Sequence, residues 1–197
     1  MKERILKAAR EEFMEKGFID ASMRSIAGTV GITATALYRH FSNKEEMYEA
    51  IVAPAVKDWD RLCDSESKRQ TSIGRNEGLE AMWGNNAQSA IIVEMIYKHF
   101  DEHKLLFFGS NGTKYEDFLH HVVTRVQKET LKFMDELETM GIPVNKVDEK
   151  NMHLLLSAQY TAMLEMVKHD YSYDDALKYA DVVNRFFSEG WRKFLGF

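Results

Sequence analysis

The sequence predicts an all-α fold, and three observations predict it. Apolar residues recur at three- and four-residue intervals through most of the 197 residues, and no stretch alternates convincingly as a strand would. Only two prolines occur, Pro54 and Pro143, so long helices are permitted almost everywhere. Glycine, serine, threonine and asparagine fall where helix ends are expected, dividing the chain into about nine helices.

The first helix reads from about Lys2 to Lys16, with Ile5, Leu6, Ala9, Phe13 and Met14 on one face and Gly17 as its stop. Ser22 is the expected N-cap of a second helix, Met23 to Val30, which Gly31 ends. Thr33 then caps a short third helix, Ala34 to Phe41. Ser42-Asn43-Lys44-Glu45 reads as a capping box, serine at the cap and glutamate three residues on, opening a fourth helix towards Asp60. Pro54 lies inside that helix and predicts a kink or a break. Three short helices with a tight glycine turn between the second and third make a helix-turn-helix pattern.

Beyond it, Asp64 to Gly78 is polar and reads as a loop. Helical periodicity resumes from about Glu80 to Phe108, with breaks expected near Gly84-Asn85 and around Glu102. Gly109-Ser110-Asn111-Gly112 is a loop, and Tyr115 to Thr139 is the longest periodic segment. Gly141-Ile142-Pro143 ends it. Two further helices follow, about Asp148 to His169 and about Tyr173 to Phe194.

Charge and composition narrow the function classes. No run reaches the eighteen or so apolar residues of a membrane span, and no secretion-type apolar stretch follows Met1. The single cysteine, Cys63, forms no internal disulfide. A cytoplasmic chain without a membrane partner is the expectation. Net charge is −5, yet the first fifty residues balance, with eight basic and eight acidic side chains. No Asp or Glu stands between Asp20 and Glu45, whereas Arg24, Arg39, His40 and Lys44 all do. An acid-free surface avoids repulsion by a phosphate backbone, and local charge outweighs the global sum there. The third helix would turn Leu37 and Phe41 inwards and leave Thr33, Thr35, Ala36, Arg39 and His40 near its outer face. The two threonines can donate to phosphate or meet a base edge, Ala36 can touch a thymine methyl, and Arg39 can pair with guanine.

The segment from Ile5 to Ile51 resembles the N-terminal domain of the TetR family. The stretches that carry the resemblance are Ile5-Leu6-Lys7-Ala8-Ala9, Phe13 through Gly17-Phe18, Arg24-Ser25-Ile26-Ala27, Gly31-Ile32-Thr33, Leu37-Tyr38-Arg39-His40-Phe41 and Ser42-Asn43-Lys44-Glu45-Glu46-Met47. The resemblance implies a homeodomain-like head over residues 1–46, which contacts double-stranded DNA, and a body over 47–197 for ligand binding and dimerisation. It adds Tyr38 and His40 as backbone or base contacts, and Lys44, Ser22 and Arg24 as phosphate contacts. Amides at the start of the fourth helix would assist in holding the anion. Tyr38 also fits a half-buried core aromatic, and Arg39 a solvated surface charge. Lys44 at a helix start opposes the helix dipole, which favours an external anion beside it. Gly28, inside the second helix, costs roughly 1 kcal/mol against alanine.

For the body, the resemblance implies a four-helix homodimer interface made by the last two helices of each copy. Leu155, Met163, Val183, Phe186 and Phe187 are its candidates, although the same apolar stripes fit the subunit's own core. Trp83, Tyr97, Phe107, Phe118, Tyr160 and Met163 are candidates for lining an effector pocket, and equally fit a filled core. The implied function is that of a transcriptional regulator, a repressor by family habit. It would bind a palindromic operator as a dimer and be released by a small apolar or aromatic molecule, with Pro54 as a flex point.

Two other readings stay open on the letters alone. His99-Phe100-Asp101-Glu102-His103 fits an H-x-x-E-H zinc-hydrolase pattern, with Glu102 as general base. It needs a third ligand, such as His120, His121 or His153, and nothing in the sequence fixes one; no metal and no cofactor are expected. The second is a nonspecific architectural DNA protein, which the acidic balance and the compact head disfavour.

Overall fold

The computed structural model describes residues 1–76 and 87–196, and every described element is helical or a connecting turn. Among the described residues there are nine helices: α1 Lys2–Asp20, α2 Met23–Val30, α3 Ala34–Tyr38, α4 Lys44–Asn76, α5 Ala87–Lys98, α6 Phe100–Phe108, α7 Phe118–Thr139, α8 Glu149–Lys168 and α9 Tyr173–Leu195. The expected all-α fold with an N-terminal helix-turn-helix is what forms.

Local chemistry accounts for most boundaries. Gly17 turns the chain with φ +72°, ψ 172°, after which α1 completes one further turn to Asp20. Ser22, Thr33, Asp148 and Ser172 each accept a backbone N–H at the start of α2, α3, α8 and α9. Gly31 ends α2 in the left-handed region at φ +77°. Its N–H reaches Gly28 O and that of Ile32 reaches Ala27 O, both at 3.0 Å, so the turn between α2 and α3 is a Schellman motif.

Several boundaries differ from the sequence reading. α3 stops at Tyr38 instead of Phe41, because the N–H groups of His40 and Phe41 both turn back to Leu37 O. The cap of α4 lies one residue later than Ser42: Asn43 Oδ1 accepts from Glu46 N, and Glu46 Oε2 accepts from Ser42 N, both at 2.7 Å. α4 passes through Pro54 without breaking, where Ile51, Val52 and Ala55 are buried on either side. It continues helical through the segment expected as a loop, to Asn76, since Val56 to Ile73 holds neither glycine nor proline and polarity alone stops no helix. The break expected at Glu102 falls at His99 (φ −136°, ψ 55°), and α7 begins at Phe118 because Tyr115 to Asp117 form a turn. The expected start near Glu80 and the break at Gly84-Asn85 lie outside the described residues, as does Trp83.

The chain divides into two compact units. The first comprises Met1–Asp58 with His99–Phe118, the second Trp59–Lys98 with Leu119–Phe197. In the first unit, Ile5 and Phe13 of α1, Ile26 of α2, Leu37 of α3, Phe41, and Met47 and Tyr48 of α4 are fully buried together with Leu105 and Leu106 of α6. Phe13, Phe18 and Tyr48 meet at ring-centre distances of 5.2–5.9 Å, and the Tyr48 hydroxyl donates to Leu105 O at 2.8 Å. Burial pushes the Tyr48 phenol well up, so it remains a neutral donor. In the second unit Val123, Met134, Met152, Leu156 and Leu195 form a core, flanked by Leu119, Val126, Tyr160, Trp191 and Phe194.

Candidate nucleic-acid interface

A recognition helix must be held rigidly from behind while its front stays open. Leu37 is fully buried and anchors α3. Around it Thr33, Thr35, Tyr38, Arg39 and His40 are exposed and Ala36 is half-buried. Tyr38 is 50% exposed, so it is no core aromatic. Ser22 and Arg24 are exposed at the start of α2. The Thr33 hydroxyl oxygen accepts from Ala36 N at 3.1 Å, which leaves its O–H to donate outwards.

Two side chains hold this surface in ways the sequence reading missed. Glu12, in α1, is buried and reaches the first turn of α2. One oxygen accepts the Ser22 N–H at 3.2 Å and Lys16 Nζ at 2.9 Å, and the other accepts the Ser25 hydroxyl at 2.9 Å. Burial alone would raise this carboxyl, but the hydrogen bonds from Lys16, Ser25 and Ser22 outweigh it and hold the group below its ordinary value. A carboxylate at a helix start also complements the helix dipole. The signal was present: Glu12 follows Ile5 by seven residues and so stands on the buried stripe of α1.

Lys44 is the second. Its ammonium donates to Ile19 O at 2.9 Å and Ala21 O at 3.1 Å, and lies 4.5 Å from the centre of the Phe18 ring. Those carbonyls close the last turn of α1, where a cation is favoured. The charge that opposes the dipole of α4 thus has a partner within the unit. Arg4 does the same for α2, donating to Val30 O at 3.1 Å. Gly28 is exposed on α2, and an added Cβ there would meet nothing within 4 Å.

The H-x-x-E-H letters assemble no hydrolase. His99 precedes α6 instead of lying within it, so His99 and His103 do not share one helical face. The Nδ1 of His99 bonds the buried Asp58 at 2.7 Å, His103 is fully buried with Nδ1 on His99 O, and Glu102 is ion-paired with Arg10 at 2.6 Å. No group of three or more His, Cys, Asp or Glu side chains among the described residues is placed to hold a metal. Burial pushes the Cys63 thiol up, away from the reactive thiolate.

The body residues separate. Tyr160 and Met163 line a cavity of about 60 Å³ in the second unit with Ser89, Ile92, Gln159 and Asn184. Tyr97, in the same unit, donates to Tyr171 O at 2.6 Å in the α8–α9 turn. Phe107 and Phe118 belong to the first unit and pack on each other, ring centres 5.6 Å apart. Of the interface candidates, Leu155 and Phe186 are exposed, Phe187 is half-buried, and Met163 and Val183 are buried within the unit itself. Leu154 and Val182, not singled out before, are 66% and 53% exposed beside them. No described helix is long and apolar enough to cross a membrane.

Residues 5–51 match the family described as bacterial regulatory proteins, tetR family. Over 49 residues the chain is 49% identical to the HTH-type transcriptional regulator UidR of Escherichia coli (strain K12), a match that covers 25% of each protein. The chain therefore spans about a quarter of the length of this relative. A longer, weaker likeness, 25% identity over 162 residues and 79% of both chains, is to IcaR of Staphylococcus aureus (strain Newman), the negative transcriptional regulator of the biofilm operon icaADBC. Among solved structures, the TetR-family regulator PfmR from Thermus thermophilus superposes with a TM-score of 0.56 at 19% identity, covering 92% of this chain and 97% of PfmR. Residues 5–51 thus match the TetR family, and the chain has the fold of TetR-family transcriptional regulators.

Proposed function

We propose that the chain is a repressor that binds a palindromic operator as a homodimer and releases it when a small molecule binds the body. The observation that carries this reading is the exposed face of α3 and of the turn after it, where Thr35, Tyr38, Arg39 and His40 surround a buried Leu37 in a window free of acidic residues. Residues 1–46 serve as the DNA-reading domain and 47–197 as the sensing and dimerising one. Arg39 reads a base edge, Tyr38 and His40 contact bases or backbone, and Ser22, Arg24 and Thr33 contact phosphate. Lys44 keeps one N–H for a phosphate beyond the two on Ile19 and Ala21.

One five-residue helix reads few base pairs, so two copies are needed. The exposed Leu154, Leu155, Val182 and Phe186 on α8 and α9 are apolar surface that a second copy would cover, as expected of a homodimer face. The effector binds at the Tyr160–Met163 cavity and enlarges it. The name of IcaR as a negative regulator supports repression here. Release requires the effector to favour the state that does not fit DNA, because equal affinity for both states shifts nothing.

The test is selection of genomic DNA fragments by the purified protein, then titration of the best site at one stated salt concentration. A palindromic site bound by two chains, and weakened by Arg39→Ala or Tyr38→Ala, is the expected result. Binding that ignores sequence and collapses steeply with salt would replace it with an architectural role.

A further inference from the structure

Two imidazoles, His120 and His153, meet in the second unit, with a third, His121, beside the first. His120 and His121 stand at the start of α7, and His153 stands in the first turns of α8. The rings of His120 and His153 lie 4.9 Å apart, centre to centre, at 64° to each other. The His121 ring is 6.3 Å from that of His120. His120 and His121 are exposed and His153 is half-buried, so an ion reaches them from solvent.

The tautomer of His153 is fixed from behind. Gln127 donates its amide N–H to Glu149 O at 2.8 Å, and a carbonyl oxygen can only accept. The amide oxygen of Gln127 therefore faces His153 Nδ1, 2.9 Å away, and that nitrogen must carry the proton. In the neutral ring Nε2 then presents its lone pair. Metal-binding histidines are held in the same way, one ring N–H given to an oxygen and the other nitrogen presented to the ion. The ring spacing agrees as well. Two imidazoles bound to one ion at about 2.1 Å per nitrogen, at angles between square-planar and tetrahedral, have ring centres about 4.5–5.2 Å apart.

We propose that His120 and His153 bind one divalent transition-metal ion of the copper–nickel–zinc range, with Gln127 as the positioning residue of His153. It is a two-nitrogen site, completed by water, and weaker than a three- or four-ligand centre. Imidazole selects this range over magnesium or calcium, and copper binds most tightly within it. The ion ties the start of α7 to the start of α8. The inference does not depend on the repressor reading.

The experiment is calorimetric titration of the untagged full chain with Cu²⁺ and with Zn²⁺, together with electron paramagnetic resonance of the Cu²⁺ form. One Cu²⁺ per chain with two nitrogen donors is expected, with Zn²⁺ weaker at the same site. His120→Ala or His153→Ala should lower affinity at least tenfold, and Gln127→Ala about 10–100-fold. His169→Ala, whose imidazole is paired with Glu165 elsewhere in the unit, should change nothing. Unchanged circular dichroism and melting temperature of the His120→Ala chain separate ligand loss from misfolding, since His120 is exposed. Affinity that survives both the His120 and His153 variants, or that falls equally with His169→Ala, overturns the proposal.

Discussion

The buried carboxylate of Glu12 in α1 accepts the hydroxyl of Ser25 in α2 at 2.9 Å, and with its other oxygen takes the N–H of Ser22, the N-cap of the same helix. A single side chain thus fixes where the second helix starts and how it meets the first. Glu12→Ala should cost about 1–3 kcal/mol, because the part-buried bonds from Ser22 N–H and the Ser25 hydroxyl lose a charged partner. The folded carboxyl lies below its ordinary 4.5, so its stabilisation is complete above that pH. It falls away as pH drops from about 4.5 through the lower folded value. Acid unfolding of wild type and Glu12→Gln checks this: the variant should be less stable at neutral pH and lose less between pH 5 and 3. Parallel acid curves would show that Glu12 contributes nothing through its charge.

Lys44 offers a sharper test of role. Removing a residue that only touches phosphate lowers the salt slope of DNA binding by about one unit and leaves folding alone. Lys44 bonds Ile19 and Ala21 and covers Phe18, so Lys44→Met should also cost about 1–2 kcal/mol in urea unfolding. A reduced salt slope at unchanged stability would assign it to DNA alone.

Gly28→Ala should stabilise the chain by about 0.5–1 kcal/mol. Gly28 lies within a regular stretch of α2 without positive φ, and its added methyl meets no atom within 4 Å. Thermal melts give the value; a destabilised variant would mean that the exposed face of α2 is not free.

In α3 and its C-cap the structure separates two kinds of loss. Leu37→Ala should cost about 2–5 kcal/mol of stability, since the side chain is fully buried. Arg39→Ala should leave the melting temperature unchanged and weaken the selected operator by about 1–3 kcal/mol, with relaxed preference at one base pair of each half-site. Equal loss on every DNA sequence would make Arg39 a phosphate contact.

The sequence made the head legible because its signals are local. Ser22, Thr33 and Gly31 cap or end helices through atoms at most five residues away, and glycine alone is at ease at φ +77°. The body was legible as helices but not as surfaces. Met163 and Val183 belong to the same apolar stripes as Leu155 and Phe186, yet the first pair is buried in the unit and the second exposed. Periodicity marks an apolar face without saying what covers it.

By itself, then, the sequence determined the all-helical class, the helix-turn-helix and the residues that α3 turns outwards, since each follows from neighbours along the chain. Only the tertiary structure decided the roles of Glu12, Lys44 and Asp58, and the meeting of His120 with His153. Those pairs are separated by 10 to 41 residues. Their partners are chosen by how helices pack, because a buried or half-buried polar group must find its hydrogen bond in whatever element lies against it.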